Sequence, residues 1–246
     1  MTAPPILDIK GLGKRFGGFV ALDGIDFSVS PGERLGLIGP NGSGKSTLVN
    51  CICGALANDT GSVRFDGRAL DGLASYQRTR LGIARTFQLP RPFSSLSIAD
   101  NLRVPLLYTV DHRSGTDSSA RDIDQRCTEL LTQLGLRDKA DRQPRELTQV
   151  EMRKLELARA LAAEPKLLIA DESMAGLSNS EIDEILELLF ALNAGGLTII
   201  LIEHIMQAVT RFSQRLVVLV SGHKIADGPT QEVMRNPEVE RAYLGQ

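Results

Sequence analysis

Glu33-Arg34-Leu35-Gly36-Leu37-Ile38-Gly39-Pro40-Asn41-Gly42-Ser43-Gly44-Lys45-Ser46-Thr47 decides the fold. Its first six residues form a short apolar run ended by glycine, as a buried strand entering a tight loop must be. Gly39 to Ser46 then fits G-x-x-x-x-G-K-[ST], and Ser46 to Cys53 reads as a helix. Glycines let the backbone turn several N–H groups toward one point, and a helix N-terminus adds its partial positive charge there. Such a nest holds a polyphosphate. On this reading Gly39, Pro40, Asn41, Gly42, Ser43, Gly44, Lys45, Ser46 and Thr47 bind a nucleotide. Lys45 brings a point charge to the β- and γ-phosphates, and the Ser46 hydroxyl is a ligand of the Mg2+ that bridges them. A glycine-rich turn that matches by chance is the alternative, and the strand and helix on either side argue against it.

Downstream, Leu167-Leu168-Ile169-Ala170, Leu197 to Ile202 and Leu216 to Val220 are continuous apolar runs separated by helices such as Ser180 to Asn193. Fully apolar strands alternating with helices predict an α/β fold with a parallel sheet covered on both faces. Upstream, Ile6 to Phe16 and Val20 to Val29 flank Gly17-Gly18 and predict an antiparallel hairpin. Val63-Arg64-Phe65 is a further strand closed by Asp66-Gly67, and Gly82 to Gln88 is another candidate. From Leu89 to Ala163 the character is helical. Ile123, Cys127, Leu130, Leu131 and Leu134 have helical spacing, as do Val150, Leu155, Ala158 and Leu161. Thr109 to Ala120 has no periodic signal and is expected to be a surface loop.

The chain has 246 residues and a formal net charge of −2, so it is large enough to bury a core and carries no bulk positive field for nucleic acid. Cys51, Cys53 and Cys127 have no metal-ligand spacing and read as small core residues in a reducing compartment. The longest apolar run, Leu197 to Ile202, is too short to span a bilayer, and the N-terminus lacks a charged-then-apolar leader. The polypeptide is therefore expected not to enter the membrane itself.

A second motif closes one of the predicted strands. Leu167 to Ala170 runs into Asp171-Glu172, and open α/β sheets bind ligands beyond the carboxyl ends of their strands. Asp171 suits Mg2+ coordination, and Glu172 suits the group that orients or deprotonates an attacking water. The alternative for the pair is an acidic helix cap after a core strand.

In the order of these motifs, the chain resembles the ATP-binding subunits of ATP-binding cassette (ABC) transporters. The resemblance implies a P-loop ATPase occupying 1–246 as one domain. It would have a mixed or parallel core sheet, an N-terminal antiparallel β subdomain and a helical subdomain inserted at about 89–163. It also implies that Phe16, in Lys14-Arg15-Phe16-Gly17-Gly18, stacks on adenine, although a strand-end core residue would read the same way. Gln88, in Arg85-Thr86-Phe87-Gln88, would sense Mg2+ and the permease. His204, in Ile202-Glu203-His204, would contact the γ-phosphate, and Ser178 takes the place of the aspartate that crosses the dimer interface.

Arg91-Pro92-Phe93, Gly176-Leu177 and Asn236-Pro237-Glu238-Val239 are similar to the ATPases of branched-chain amino acid importers. That likeness implies a second and different ATP-binding subunit, two permease subunits, an extracytoplasmic solute-binding protein, and a place on the cytoplasmic face of the membrane. The largest departure lies before Arg153. The family carries Leu-Ser-Gly-Gly-Gln there, and this chain has Leu147-Thr148-Gln149-Val150-Glu151. Both glycines are absent. Thr148 and Glu151 form a capping box instead, so this half of the interface is expected to be impaired, with Thr148 the remaining candidate for a nucleotide contact. The alternatives are a regulatory ABC-type ATPase without a permease, and a subunit that holds ATP with little turnover.

Overall fold

The computed structural model describes residues 4–87, 90–111 and 120–244, and it divides into one unit of Met1–Arg78 with Leu192–Gln246 and a second of Thr79–Ala191. The chain opens with β1 (Leu7–Phe16) and β2 (Phe19–Val29), an antiparallel pair that turns at Gly17-Gly18 with Phe16 opposite Phe19. It continues through β3 (Arg34–Ile38) and α1 (Lys45–Cys53) to β4 (Thr60–Phe65) and the short β5 (Arg68–Ala69). The four outer strands form an antiparallel sheet in the order β2-β1-β4-β5, and the turn between β4 and β5 falls at the expected Asp66-Gly67.

α2 (Ser75–Leu81) leads into the second unit, where β6 (Ile83–Arg85) lies parallel to β7 (Leu167–Asp171) with Arg85 opposite Ile169. Between those strands run α3 (Ile98–Pro105), α4 (Ala120–Gln133) and α5 (Gln149–Leu161), and after β7 comes α6 (Asn179–Ala194). Ile98, Leu102, Leu131, Leu134, Leu155 and Ala158 are almost wholly buried among these helices. Each leucine or isoleucine so placed contributes about 1.5–3 kcal/mol of burial.

One expectation needs correction. Residues 109–111, expected to be loop, belong to a π-helical turn, Leu106–Asp111, that continues α3 directly after Pro105. Proline lacks an N–H and crowds the carbonyl four residues back, so the bonding pattern widens there, and periodicity reading has no template for the result. Ala120, the last residue of that expected loop, starts α4, and 112–119 lie outside the described residues.

The chain returns to the first unit with β8 (Thr198–Ile202), α7 (Met206–Phe212), β9 (Arg215–Val220), β10 (His223–Pro229), α8 (Thr230–Val233) and α9 (Pro237–Leu244). β3 runs parallel to β8 on one side and to β9 on the other, with Leu35 level with Ile200 and Arg215, and β10 is an antiparallel edge. Ile38, Val209, Leu216, Val218, Val233 and Val239 pack into one buried cluster. The carboxyl end of β3 is thus fixed between two parallel neighbours, the position at which open α/β sheets present ligand sites.

Candidate functional site

The loop after β3 is shaped by close backbone approach. Gly39 has φ 155°, and a Cβ on it would lie 2.1 Å from the Leu219 carbonyl oxygen and 2.6 Å from Ser43 Oγ. Gly44 has φ 105°, and a Cβ there would lie 2.7 Å from the Ala21 carbonyl oxygen. Any side chain at these two places would displace the loop. The Ser43 amide donates to the Pro40 carbonyl at 3.2 Å, and the Ser43 carbonyl accepts from Gly222 N at 3.0 Å, so the turn is tied down from both sides.

Gly44 starts α1 without any side-chain cap, and no acidic residue stands in the first turn. No side-chain cap thus competes with an anion for the first-turn N–H groups and the positive end of the helix dipole. Ser43 Oγ is buried and has no hydrogen-bond partner among the described residues, an orphaned polar atom in the cradle. Lys45 is 7% exposed, and its Nζ donates to the carbonyls of Gly39 at 2.6 Å and Pro40 at 3.0 Å. Asn41, Gly42 and Ser46 are exposed and Thr47 is half-buried. This combination fits a polyphosphate with its accompanying cation. At the other end of α1, Arg78 donates to the Cys51 carbonyl at 2.7 Å and the Ile52 carbonyl at 3.0 Å, which matches its charge to the negative end of the helix.

In the same unit Phe16 ends β1 and is 47% exposed, which is not the burial of a strand-end core residue. Lys14 Nζ stands 5.7 Å from the ring centroid and is paired to Asp59 at 2.8 Å, while Arg15 N donates to the same carboxylate at 2.7 Å. Those bonds hold the Asp59 carboxyl below the usual aspartate range. His204 follows β8 and is exposed, next to a buried Glu203.

The second unit carries the carboxylates. Asp171 ends β7 at 7% exposure; its N–H donates to Thr86 Oγ1 at 3.1 Å and its Oδ2 accepts from Arg85. Glu172 follows with φ 46°, a left-handed backbone that costs a non-glycine residue about 1–3 kcal/mol and persists where neighbours over-determine it. Ser178 donates from Oγ to Glu181 Oε2 at 2.7 Å, and its own N–H reaches the same oxygen at 2.8 Å. It therefore caps α6. Thr148 caps α5, where its Oγ1 accepts from Glu151 N at 3.4 Å and its N–H donates to Glu151 Oε2 at 2.9 Å. Lys139 pairs with Glu151 and, with that backbone bond, holds the carboxyl below the usual glutamate range. Gln88 lies outside the described residues.

Three residues that sequence reasoning passed over shape this half. Arg85 clasps Asp171, and Gln149 and Arg153 both donate to the Ala175 carbonyl, at 3.3 and 3.1 Å. Nothing in the linear pattern marks them, because an arginine at a strand end and a polar first helical turn are ordinary on any surface.

Residues 22–175 match the family model described as ABC transporter. The chain is similar to the high-affinity branched-chain amino acid transport ATP-binding protein LivG of Escherichia coli (strain K12), with 37% identity over 255 residues covering 98% of each chain. It is also similar to the corresponding protein BraF of Pseudomonas aeruginosa, with 34% identity over 251 residues and 98% of each chain. Among solved structures, the ADP conformation of MJ1267, an ATP-binding cassette of an ABC transporter, superimposes with a TM-score of 0.88 at 32% identity, covering 99% of this chain and 100% of that one.

Proposed function

The chain belongs to the ABC transporter family of ATP-binding proteins, and from that premise we propose that it hydrolyses ATP to power an importer of branched-chain amino acids or related small polar or amide solutes. The observation that carries the cargo class is the match with two branched-chain amino acid transport proteins over 98% of each chain. The whole chain then acts as one ATP-binding domain, with the helical stretch of about 89–163 inserted in it.

Each residue has a stated task in this reading. Gly39 to Thr47 hold the phosphates through backbone N–H groups, and Lys45 moves its ammonium from the Gly39 and Pro40 carbonyls to the β- and γ-phosphates. Ser46, Asp171 and Gln88 hold Mg2+, which when bound neutralises charge across those phosphates. Phe16 stacks on adenine, Glu172 orients the attacking water, and His204 faces the γ-phosphate. Thr148 and Ser178 belong to the interface with a second ATP-binding subunit. The hydrogen bonds of Thr148 and Glu151 are spent on each other and on Lys139 of the same chain, so the altered signature is a poor partner for phosphate. A heterodimer whose other member supplies intact glycines suits this chain better than a homodimer. Two permease subunits and an extracytoplasmic solute-binding protein complete the assembly, with this subunit peripheral on the cytoplasmic face and no nucleic acid involved.

The test uses the complex reconstituted with its permeases. Lys45→Ala should abolish Mg-ATP binding, while Glu172→Gln should keep binding and lower turnover at least a hundredfold, by about 2.7 kcal/mol or more. Leucine, isoleucine or valine on its binding protein should stimulate the wild-type rate. An unchanged rate in Glu172→Gln would refute the role of Glu172, and a rate indifferent to these amino acids would refute the cargo.

A further inference from the structure

The segment from Glu172 to Leu177 is held at its two ends by Arg85 on Asp171 and by the Ser178 and Glu181 capping bonds. It has a third support in the middle. Gln149 Nε2, in the first turn of α5, donates to the Ala175 carbonyl at 3.3 Å, and Arg153 Nη2, one turn on and on the same helix face, donates to the same oxygen at 3.1 Å. The fit is close, since a Cβ on Gly176, which has φ 81°, would lie 2.6 Å from Gln149 Nε2. A glycine at 149, as in the family signature, has no side chain to make this bond.

We infer that Gln149 is a positioning residue for Glu172, latching the Glu172–Leu177 segment to α5 within the same chain. The inference rests on the role proposed above for Glu172. Glu172 keeps a left-handed backbone, a state that survives only where surrounding contacts determine it from several sides. The bond to Ala175 is one of those sides, three residues along. Substituting the signature glycine by glutamine thus exchanges a surface for approach by another subunit for a brace on the chain's own catalytic segment. The phosphate loop is not part of the latch, so its loss should lower the rate and leave nucleotide affinity alone.

The experiment compares Gln149→Ala, Gln149→Glu and Gln149→Lys. Gln149 is exposed, so these variants should fold. In the assembled complex, Gln149→Ala should lower kcat by roughly two- to tenfold, the worth of one neutral hydrogen bond, with the Kd for Mg-ATP unchanged. Gln149→Glu, which sets an acceptor against the carbonyl, should lower it further, and Gln149→Lys, which keeps a donor, should restore it. In the full chain without partners, amide hydrogen exchange at 172–177 should quicken in the alanine and glutamate variants and not in the lysine variant. Unchanged exchange with unchanged kcat in Gln149→Ala would overturn the inference, as would a kcat loss matched by a loss of Mg-ATP affinity. Wild-type turnover in Glu172→Gln would instead refute the reading of Glu172, and exchange at 172–177 would still decide the latch.

Discussion

Arg85 grips Asp171 with two nitrogens, Nη2 at 2.6 Å and Nε at 3.1 Å from the same Oδ2. The two side chains are 16% and 10% exposed, so water screens the pair little. Truncating Arg85 leaves the Asp171 carboxylate nearly buried without this ion pair. Arg85→Ala should cost about 3 kcal/mol of stability, and a double-mutant cycle with Asp171→Asn should show a coupling of about 1 kcal/mol or more. Urea unfolding of the four proteins checks this, and additive losses would refute it.

The glycines of the phosphate loop should not be equivalent. An alanine at Gly39 would drive its Cβ to 2.1 Å from the Leu219 backbone, whereas at Gly42 a Cβ meets nothing within 4 Å and only the φ of 77° opposes it. Gly42→Ala should cost about 1–2 kcal/mol, the left-handed penalty alone. Gly39→Ala should cost clearly more and lose Mg-ATP binding. Thermal unfolding with calorimetric titration of Mg-ATP ranks them, and equal losses would refute the steric account.

The capping box of α5 should weaken in acid. Glu151 has its pKa lowered in the fold, first by the Lys139 bond and then by the Thr148 amide. A lowered folded-state pKa gives stability that is fully present above the ordinary glutamate value, about 4.3, and is lost as pH falls through the folded value. Glu151→Gln keeps an acceptor for Thr148 N and removes the charge. The stability difference between wild type and this variant should be about 1 kcal/mol or less at pH 7 and vanish toward pH 3. A difference that stayed constant from pH 7 to pH 3 would rule out the ion pair as its source.

The thiols should divide by burial. Cys51 and Cys127 are 0% and 3% exposed, and burial raises both, Cys127 to about 11. Thiolate is the reactive form, so both should resist a disulfide reagent at pH 8, while the half-buried Cys53 reacts. Native protein should then titrate near one thiol and denatured protein near three. Three fast thiols in the native state would contradict the packing.

Much of the fold was legible in order along the chain. The hairpin at Gly17-Gly18, the strand Arg34–Ile38 and the strand Thr198–Ile202 lie where period and turn chemistry put them, because those patterns are local. The cap formed by Thr148 and Glu151 was equally readable, since its two residues sit three apart on one turn. The π-helical turn after Pro105 was not, because it depends on how a helix absorbs a missing N–H rather than on an apolar period.

For the candidate site, the sequence by itself determined which residues are proposed to do the chemistry. Gly39 to Thr47, Asp171 and Glu172 are named by composition at fixed spacing, because a backbone nest and a carboxylate at a strand end need only neighbours along the chain. Only the tertiary structure decided what each of them leans on. Arg85 reaches Asp171 across 86 residues, Gln149 and Arg153 reach Ala175 across 26 and 22, and Gly39 is barred from any side chain by a carbonyl at Leu219. Such partners are set by strand register and helix packing, which bring distant backbone within hydrogen-bond reach, and a linear pattern carries no distance of that kind.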